Sequence, residues 1–171
     1  IYGTGQIGGR IARLAKAFGM TVIGVRRDAS KTVSDIDEMH PATAFAALLP
    51  RADVVVLACP LTDETRGLMN PAAFAAMHAG AYLINVARGG CVEEDALVAA
   101  LEGGLIAGAG IDVTDPEPLP ETSKLWGIGN VILTPHSGGE TRAYEDNVVD
   151  ILIENLARLW RGDTALLHQI V

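Results

Sequence analysis

The chain has 171 residues, and 13 Lys+Arg against 21 Asp+Glu give it a formal net charge of −8, so nucleic acid is not an expected partner. With 49% hydrophobic and 20% charged residues it can bury a sizeable core, and no apolar run approaches the roughly 18 residues of a membrane-spanning helix, so a membrane is not expected either. Nineteen glycines and only 5% aromatics point to tight turns and close backbone approaches.

In chain order, Ile1-Tyr2 reads as the end of a first strand, and Ile7, Ile11, Leu14, Ala15 and Phe18 recur at the spacing of a helix behind it. Short apolar runs over 21–25, 54–57, 81–84, 106–111 and 131–133 read as strands apolar on both faces, as in a parallel sheet between helices. Ala96, Leu97, Ala100 and Leu101 mark a helix whose N-terminal end is crowded by Glu93, Glu94 and Asp95. The segment from Asp115 to Trp126, with Pro116, Pro118 and Pro120, reads as an ordered loop. A last helix from about Glu140 to Trp160 carries Val148, Leu152, Leu156 and Leu159 on one stripe, for the core or for a subunit contact. This alternation predicts an α/β fold, a Rossmann-type doubly wound parallel sheet, with 1–171 as a single domain and ligands beyond the carboxyl ends of the strands.

Cys59 and Cys91 stand far apart in sequence, without a CxxC or a neighbouring His, so no disulfide framework and no metal site is expected, and a reducing cytoplasm fits. The sequence opens on Ile1 and a glycine-rich turn, shows no signal peptide, and reads as a piece of a longer chain.

Gly3-Thr4-Gly5-Gln6-Ile7-Gly8 matches GxGxxG between a strand and a helix. Glycines there allow a tight turn and close approach to a pyrophosphate, which the helix N-terminus stabilises. Dinucleotide binding is the leading reading; an S-adenosylmethionine site or a merely tight turn are the alternatives. After the second strand the chain reads Arg26-Arg27-Asp28. Two guanidiniums suit a ribose 2′-phosphate and favour NADP over NAD, unless Asp28 takes the 2′-hydroxyl and both arginines are solvated.

Three later post-strand loops contain Arg88, Glu117 and His136. An Arg, a carboxylate and a His on one rim could bind an anionic carbonyl compound and move a proton. Singly, each has a bland reading: a surface Arg, a solvated Glu between prolines, a His at a strand end. His40, His78 and His168 read as surface residues, and Cys91 as a small buried apolar residue rather than a nucleophile.

The stretches GTGQIGGRIA, VVLACPLTDETRGLMN, LINVARGGCVEEDAL, AGAGIDVTDPEPLP and ILTPHSGGET, in this order, resemble the D-isomer-specific 2-hydroxyacid dehydrogenases, which include phosphoglycerate dehydrogenase and hydroxypyruvate/glyoxylate reductases. The resemblance implies the cofactor domain of a two-domain enzyme whose substrate-binding domain is absent from this sequence. It implies that Arg88 binds the substrate carboxylate, that His136 is the acid in reduction and base in oxidation, and that Glu117 pairs with His136. Asp112 would meet the nicotinamide carboxamide. Cys59 and Pro60, with Thr65 nearby, would line the adenosine side, and Val86, Ala87, Ser137, Gly138 and Gly139 the nicotinamide half.

The expected function is hydride transfer between NAD(P)H and a small 2-oxo acid, in a homodimer. A dinucleotide-sensing corepressor on the same fold is the alternative, and a methyltransferase a weaker third.

Overall fold

The computed structural model describes residues 1–31 and 33–169. Its contacts divide the chain into two compact units, Ile1–His136 and Ser137–Val171.

In the first unit, strands β1 (Ile23–Arg26) and β2 (Glu38–Pro41) pair in parallel, with Ile23 opposite Glu38. Strands β3 (Val54–Leu57), β4 (Tyr82–Asn85), β5 (Gly108–Ile111) and β6 (Val131–Leu133) follow one another in a parallel sheet. Tyr2 joins the two groups: it bridges Val25 on one side and Leu57 on the other, with its N–H donating to the Val56 carbonyl at 2.8 Å. The order is therefore β2-β1-Tyr2-β3-β4-β5-β6. Chain from Tyr2 leads outward to β1 on one side and later returns to β3 on the other, so the order reverses beside Tyr2, where open α/β sheets bind their ligands.

Helix α1 (Gln6–Ala17) does not bury the large apolar stripe that its periodicity suggests. Only Gly8 and Ala12 are buried, whereas Leu14 is 58% and Phe18 85% exposed. A Cβ on Gly8 would lie 1.9 Å from the Gly3 carbonyl oxygen, so the helix meets the fingerprint turn through its smallest residues and turns the larger ones outward.

Three elements escape the periodicity. Strand β2 is the polar run Glu-Met-His-Pro at a sheet edge, with no apolar alternation to mark it. Helix α2 (Phe45–Leu48) spans a single turn. Helix α3 (Pro71–Ala76) is announced only by its cap, Asn70 accepting from the Ala73 N–H at 3.0 Å, with Pro71 in the first turn. Strand β4 ends at Asn85, one residue later than its apolar run. Helix α4 (Glu94–Glu102) buries Ala96, Leu97, Val98, Ala100 and Leu101, and with Leu57, Leu83 and Phe74 forms the main core.

In the second unit, α5 (Tyr144–Arg161) starts later than the expected Glu140, with Glu145 and Asp146 in its first turn, and ends at Gly162, φ +82. The following residues fold back on it: Asn155 Oδ1 accepts from the Leu167 N–H at 2.7 Å and its Nδ2 donates to the Leu167 carbonyl at 3.2 Å. No residue of α5 is buried, so its stripe of Val148, Leu152, Leu156 and Leu159 is not core.

Candidate active site

The glycines of the fingerprint divide their work. Gly3 has φ +95, and a Cβ on it would lie 2.5 Å from the Ala58 carbonyl oxygen, so it must be glycine for both conformation and contact. Gly8 is held glycine by the close approach already described. Gly5, the residue capping α1, would meet nothing within 4 Å and makes no side-chain cap. A tight turn alone accounts for Gly3 and Gly8. An open Gly5 before a helix whose first N–H groups lack a side-chain acceptor is what a pyrophosphate requires in addition, and these residues fit a dinucleotide.

Beside this turn lies a cavity of about 470 Å³ lined by Ile7, Cys59, Pro60, Val86, Ala87 and Arg88. It draws candidates from α1 and from the loops after β3 and β4 into one crevice next to Tyr2. Thr65 is placed differently. It is buried, donates to the Pro60 carbonyl at 2.7 Å and accepts from the Thr62 N–H at 2.8 Å, so its hydroxyl braces the loop.

Arg26 closes β1 and Arg27 follows it into solvent. Asp28 is engaged in its own turn, where Ser30 Oγ donates to it at 2.6 Å and holds its carboxyl below the usual range. Glu64 is also held low, chiefly by the Thr62 hydroxyl and to a lesser degree by Arg27.

The sequence separation of the two cysteines conceals a contact. Cys59 and Cys91 are both buried and close enough to interact, and the neighbouring Cys91 thiol together with burial pushes the Cys59 thiol up. Both are free thiols. His40 and His78 are half-buried beside acids, at 3.1 Å from Glu38 and 3.4 Å from Asp53, rather than free on the surface.

At the far end of the carboxyl edge, His136 Nδ1 lies 2.9 Å from Glu117 Oε2. Glu117 Oε1 accepts from the Thr114 N–H at 3.0 Å. Hydrogen bonding by His136 first, then by the Thr114 N–H and with Arg88 nearby, holds the Glu117 carboxyl below its ordinary value, against a burial effect that raises it. Glu117 is therefore ionised at neutral pH and can only accept, which assigns the proton of the shared bond to Nδ1 and leaves Nε2 to face a ligand. His136 has φ +56, a left-handed turn directly after Pro135.

Arg88 reaches the same neighbourhood from the loop after β4. Gly89 permits this, since a Cβ there would meet the Thr114 carbonyl carbon at 2.0 Å. The Arg88 loop thus lies directly against the loop that bears Glu117. Arg88 itself is exposed, with Nη1 donating to the Ala87 carbonyl at 2.7 Å. Asp112 accepts from the Thr134 hydroxyl at 2.5 Å. Asp112, Glu117, Trp126, Thr134 and His136 share a second cavity of about 660 Å³. Ser137, Gly138 and Gly139 belong to the second unit.

Four polar residues of the site went unremarked at the level of sequence. Thr114 and Thr134 fix Glu117 and Asp112, and Asn85 organises the Arg88 turn. Thr4, inside the fingerprint, buries a hydroxyl without a hydrogen-bond partner among the described residues. Asn85 had a signal, since a polar residue closing an apolar strand is costly to bury unless its amide is used.

Comparison with known proteins agrees with this architecture. Residues 1–138 match the family described as "D-isomer specific 2-hydroxyacid dehydrogenase, NAD binding domain". D-3-phosphoglycerate dehydrogenase of Bacillus subtilis is 40% identical over 162 residues, covering 95% of this chain and 30% of the relative. Glyoxylate reductase of Pyrococcus horikoshii is 39% identical over 165 residues, covering 95% and 48%. A crystal structure of a D-isomer specific 2-hydroxyacid dehydrogenase from Xanthobacter autotrophicus Py2, in complex with NADPH and MES, superimposes with TM-score 0.89 at 37% identity, covering 99% of this chain and 69% of that one. The chain spans about half or less of the length of the curated relatives it matches.

Proposed function

The chain belongs to the D-isomer specific 2-hydroxyacid dehydrogenase family, and on that premise we propose that it is the cofactor-binding part of a two-domain enzyme that interconverts a 2-oxo acid and its D-2-hydroxy acid. The observation that carries this reading is the 2.9 Å contact of His136 with an ionised Glu117, on the rim that Arg88 shares. Arg88 offers a planar fork to the substrate carboxylate. His136 gives its Nε2 proton to the carbonyl oxygen, so that oxo acid, hydride and proton together make the hydroxy acid. Bound NAD(P)H supplies the hydride. Glu117 orients the ring for that proton transfer. In the oxidative direction His136 takes that proton back.

Gly3, Gly5, Gln6, Ile7 and Gly8 cradle the pyrophosphate. Cys59 and Pro60 wall the adenosine side, with Thr65 bracing their loop. Val86, Ala87 and Asp112 serve the nicotinamide half. Arg26 and Arg27 favour NADP(H), a preference supported by the engagement of Asp28 with Ser30. Enzyme names among the relatives do not favour the corepressor reading. We further place the whole protein in a reducing cytoplasm as a homodimer. Among the described residues no helix is long and apolar enough to cross a membrane, and the charge of −8 argues against nucleic acid.

The test is a steady-state assay of the full-length protein with NADPH and NADH against glyoxylate, hydroxypyruvate and other 2-oxo acids. Turnover of at least one is expected, with the D enantiomer formed wherever the product has a stereocentre at C2. Tight cofactor binding with no turnover across the panel would overturn the assignment.

A further inference from the structure

We propose that Asn85 is the positioning residue of the Arg88 loop, its carboxamide clamping the two peptide groups that flank the Ala87–Arg88 peptide and so setting where the guanidinium meets the substrate carboxylate. The proposal deepens the functional reading above and rests on it for the identity of that carboxylate.

Asn85 is the last residue of β4 and is fully buried, at 0% exposure. A branched apolar residue would continue the strand at less cost, because a buried amide is unfavourable unless its donor and acceptor are both used. Both are used on the same short turn. Oδ1 accepts from the Ala87 N–H at 3.0 Å and Nδ2 donates to the Arg88 carbonyl at 3.1 Å. The Arg88 carbonyl also accepts from the Cys91 N–H at 3.1 Å, so the peptide group leaving Arg88 is gripped from two directions. The peptide group entering Arg88 is fixed in turn, since the Ala87 carbonyl receives the Arg88 guanidinium itself at 2.7 Å.

The same residue ties this turn to the acid–base pair. Its main-chain carbonyl accepts from the Asp112 N–H at 3.0 Å, at the start of the loop that carries Glu117. Gly89 then lies flush against Thr114, whose N–H holds Glu117. Asn85 is thus the point from which the Arg88 turn and the Glu117 loop both take their register. An exposed, flexible arginine gains a defined origin from it, and reaction rates are sensitive to displacements of about 1 Å at such groups.

The experiment uses the full-length enzyme. Asn85→Ala should raise KM for the 2-oxo acid and lower kcat, together by between about tenfold and a hundredfold in kcat/KM, while the dissociation constant for NADPH stays within about twofold. In an Arg88→Ala background the same substitution should add less than about twofold, because a residue that acts through Arg88 has nothing left to position. Asn85→Leu, which keeps the buried volume and loses both hydrogen bonds, should show the same split and guards against a poorly folded Ala variant. Full multiplication of the two losses in the double variant, or a loss of NADPH affinity in step with kcat/KM, would overturn the proposal in favour of a merely structural role. If the parent enzyme turns over no 2-oxo acid, the functional reading falls by itself. Amide exchange at Ala87 then decides the clamp: it should accelerate in Asn85→Ala, and an unchanged rate would sink the clamp whatever the substrate.

Discussion

The two ends of the carboxyl edge are built by different means. At the fingerprint, geometry is set by missing side chains: Gly3 and Gly8 let backbone approach backbone closer than any Cβ allows, and Gly5 is left open. At the rim of Arg88, Glu117 and His136, geometry is set by added hydrogen bonds, from Asn85, Thr114 and Thr134. The first arrangement is rigid because it is steric. The second can be tuned, because each bond orients a side chain or a loop of the rim.

The most severe break in this comparison is Gly8→Ala. Its Cβ would stand 1.9 Å from a carbonyl oxygen that cannot move without the turn, and we expect a loss of about 3 kcal/mol or more in unfolding free energy. Gly5→Ala, where nothing lies within 4 Å, should change stability by no more than about 0.5 kcal/mol yet weaken dinucleotide binding. Denaturant unfolding and calorimetry on both variants check this, and equal stability losses would contradict the division of roles.

His136→Gln tests the rim. In the full-length enzyme kcat should fall by about 10²–10⁴, the range for a lost general acid, with NADPH affinity unchanged. A fall below fivefold would remove His136 from proton transfer.

Replacing Arg26 and Arg27 together by Ala sharpens the cofactor side. Charge-assisted contacts to phosphate contribute roughly 1.5–3 kcal/mol each, so NADPH binding should weaken at least tenfold while NADH binding hardly changes. Parent protein that binds the two cofactors equally well would refute the assigned preference.

The smallest expected effect concerns acid. The Glu117 carboxyl is held low by His136, so its contribution to stability is complete above the ordinary carboxylate range and is lost as pH falls through the depressed value. Glu117→Gln should therefore be slightly less stable than the parent at pH 7 and lose less as pH drops, the two melting temperatures converging in acid. Because the side chain is 40% exposed, solvent screens the effect. Curves that stay parallel across the range would show that the pair adds nothing to folding.

Where local chemistry settles a feature, the sequence alone was sufficient. The runs at 54–57 and 131–133 are β3 and β6 residue for residue, because uninterrupted β-branched and Leu residues favour an extended strand whether it is covered on both faces, as β3 largely is, or leaves Ile132 exposed, as β6 does. The fingerprint was legible for the same reason: glycine answers a steric demand that travels with the turn. Strand β2 was not legible, since Glu38 to Pro41 becomes a strand only through the neighbouring β1 that pairs with it. The contact of Cys59 with Cys91 was hidden because they sit on loops after adjacent strands, and sequence distance says nothing about that adjacency. The outward face of α1 was misleading, because periodicity reports which residues share a face and only packing against Gly3 decides which face turns inward. Arg88, Glu117 and His136 could be named as residue types suited to one chemistry. That Glu117 touches His136, and that Gly89 brings Arg88 beside their loop, depended on strands far apart in the chain lying side by side, an arrangement decided by burial of the whole sheet and by no local propensity.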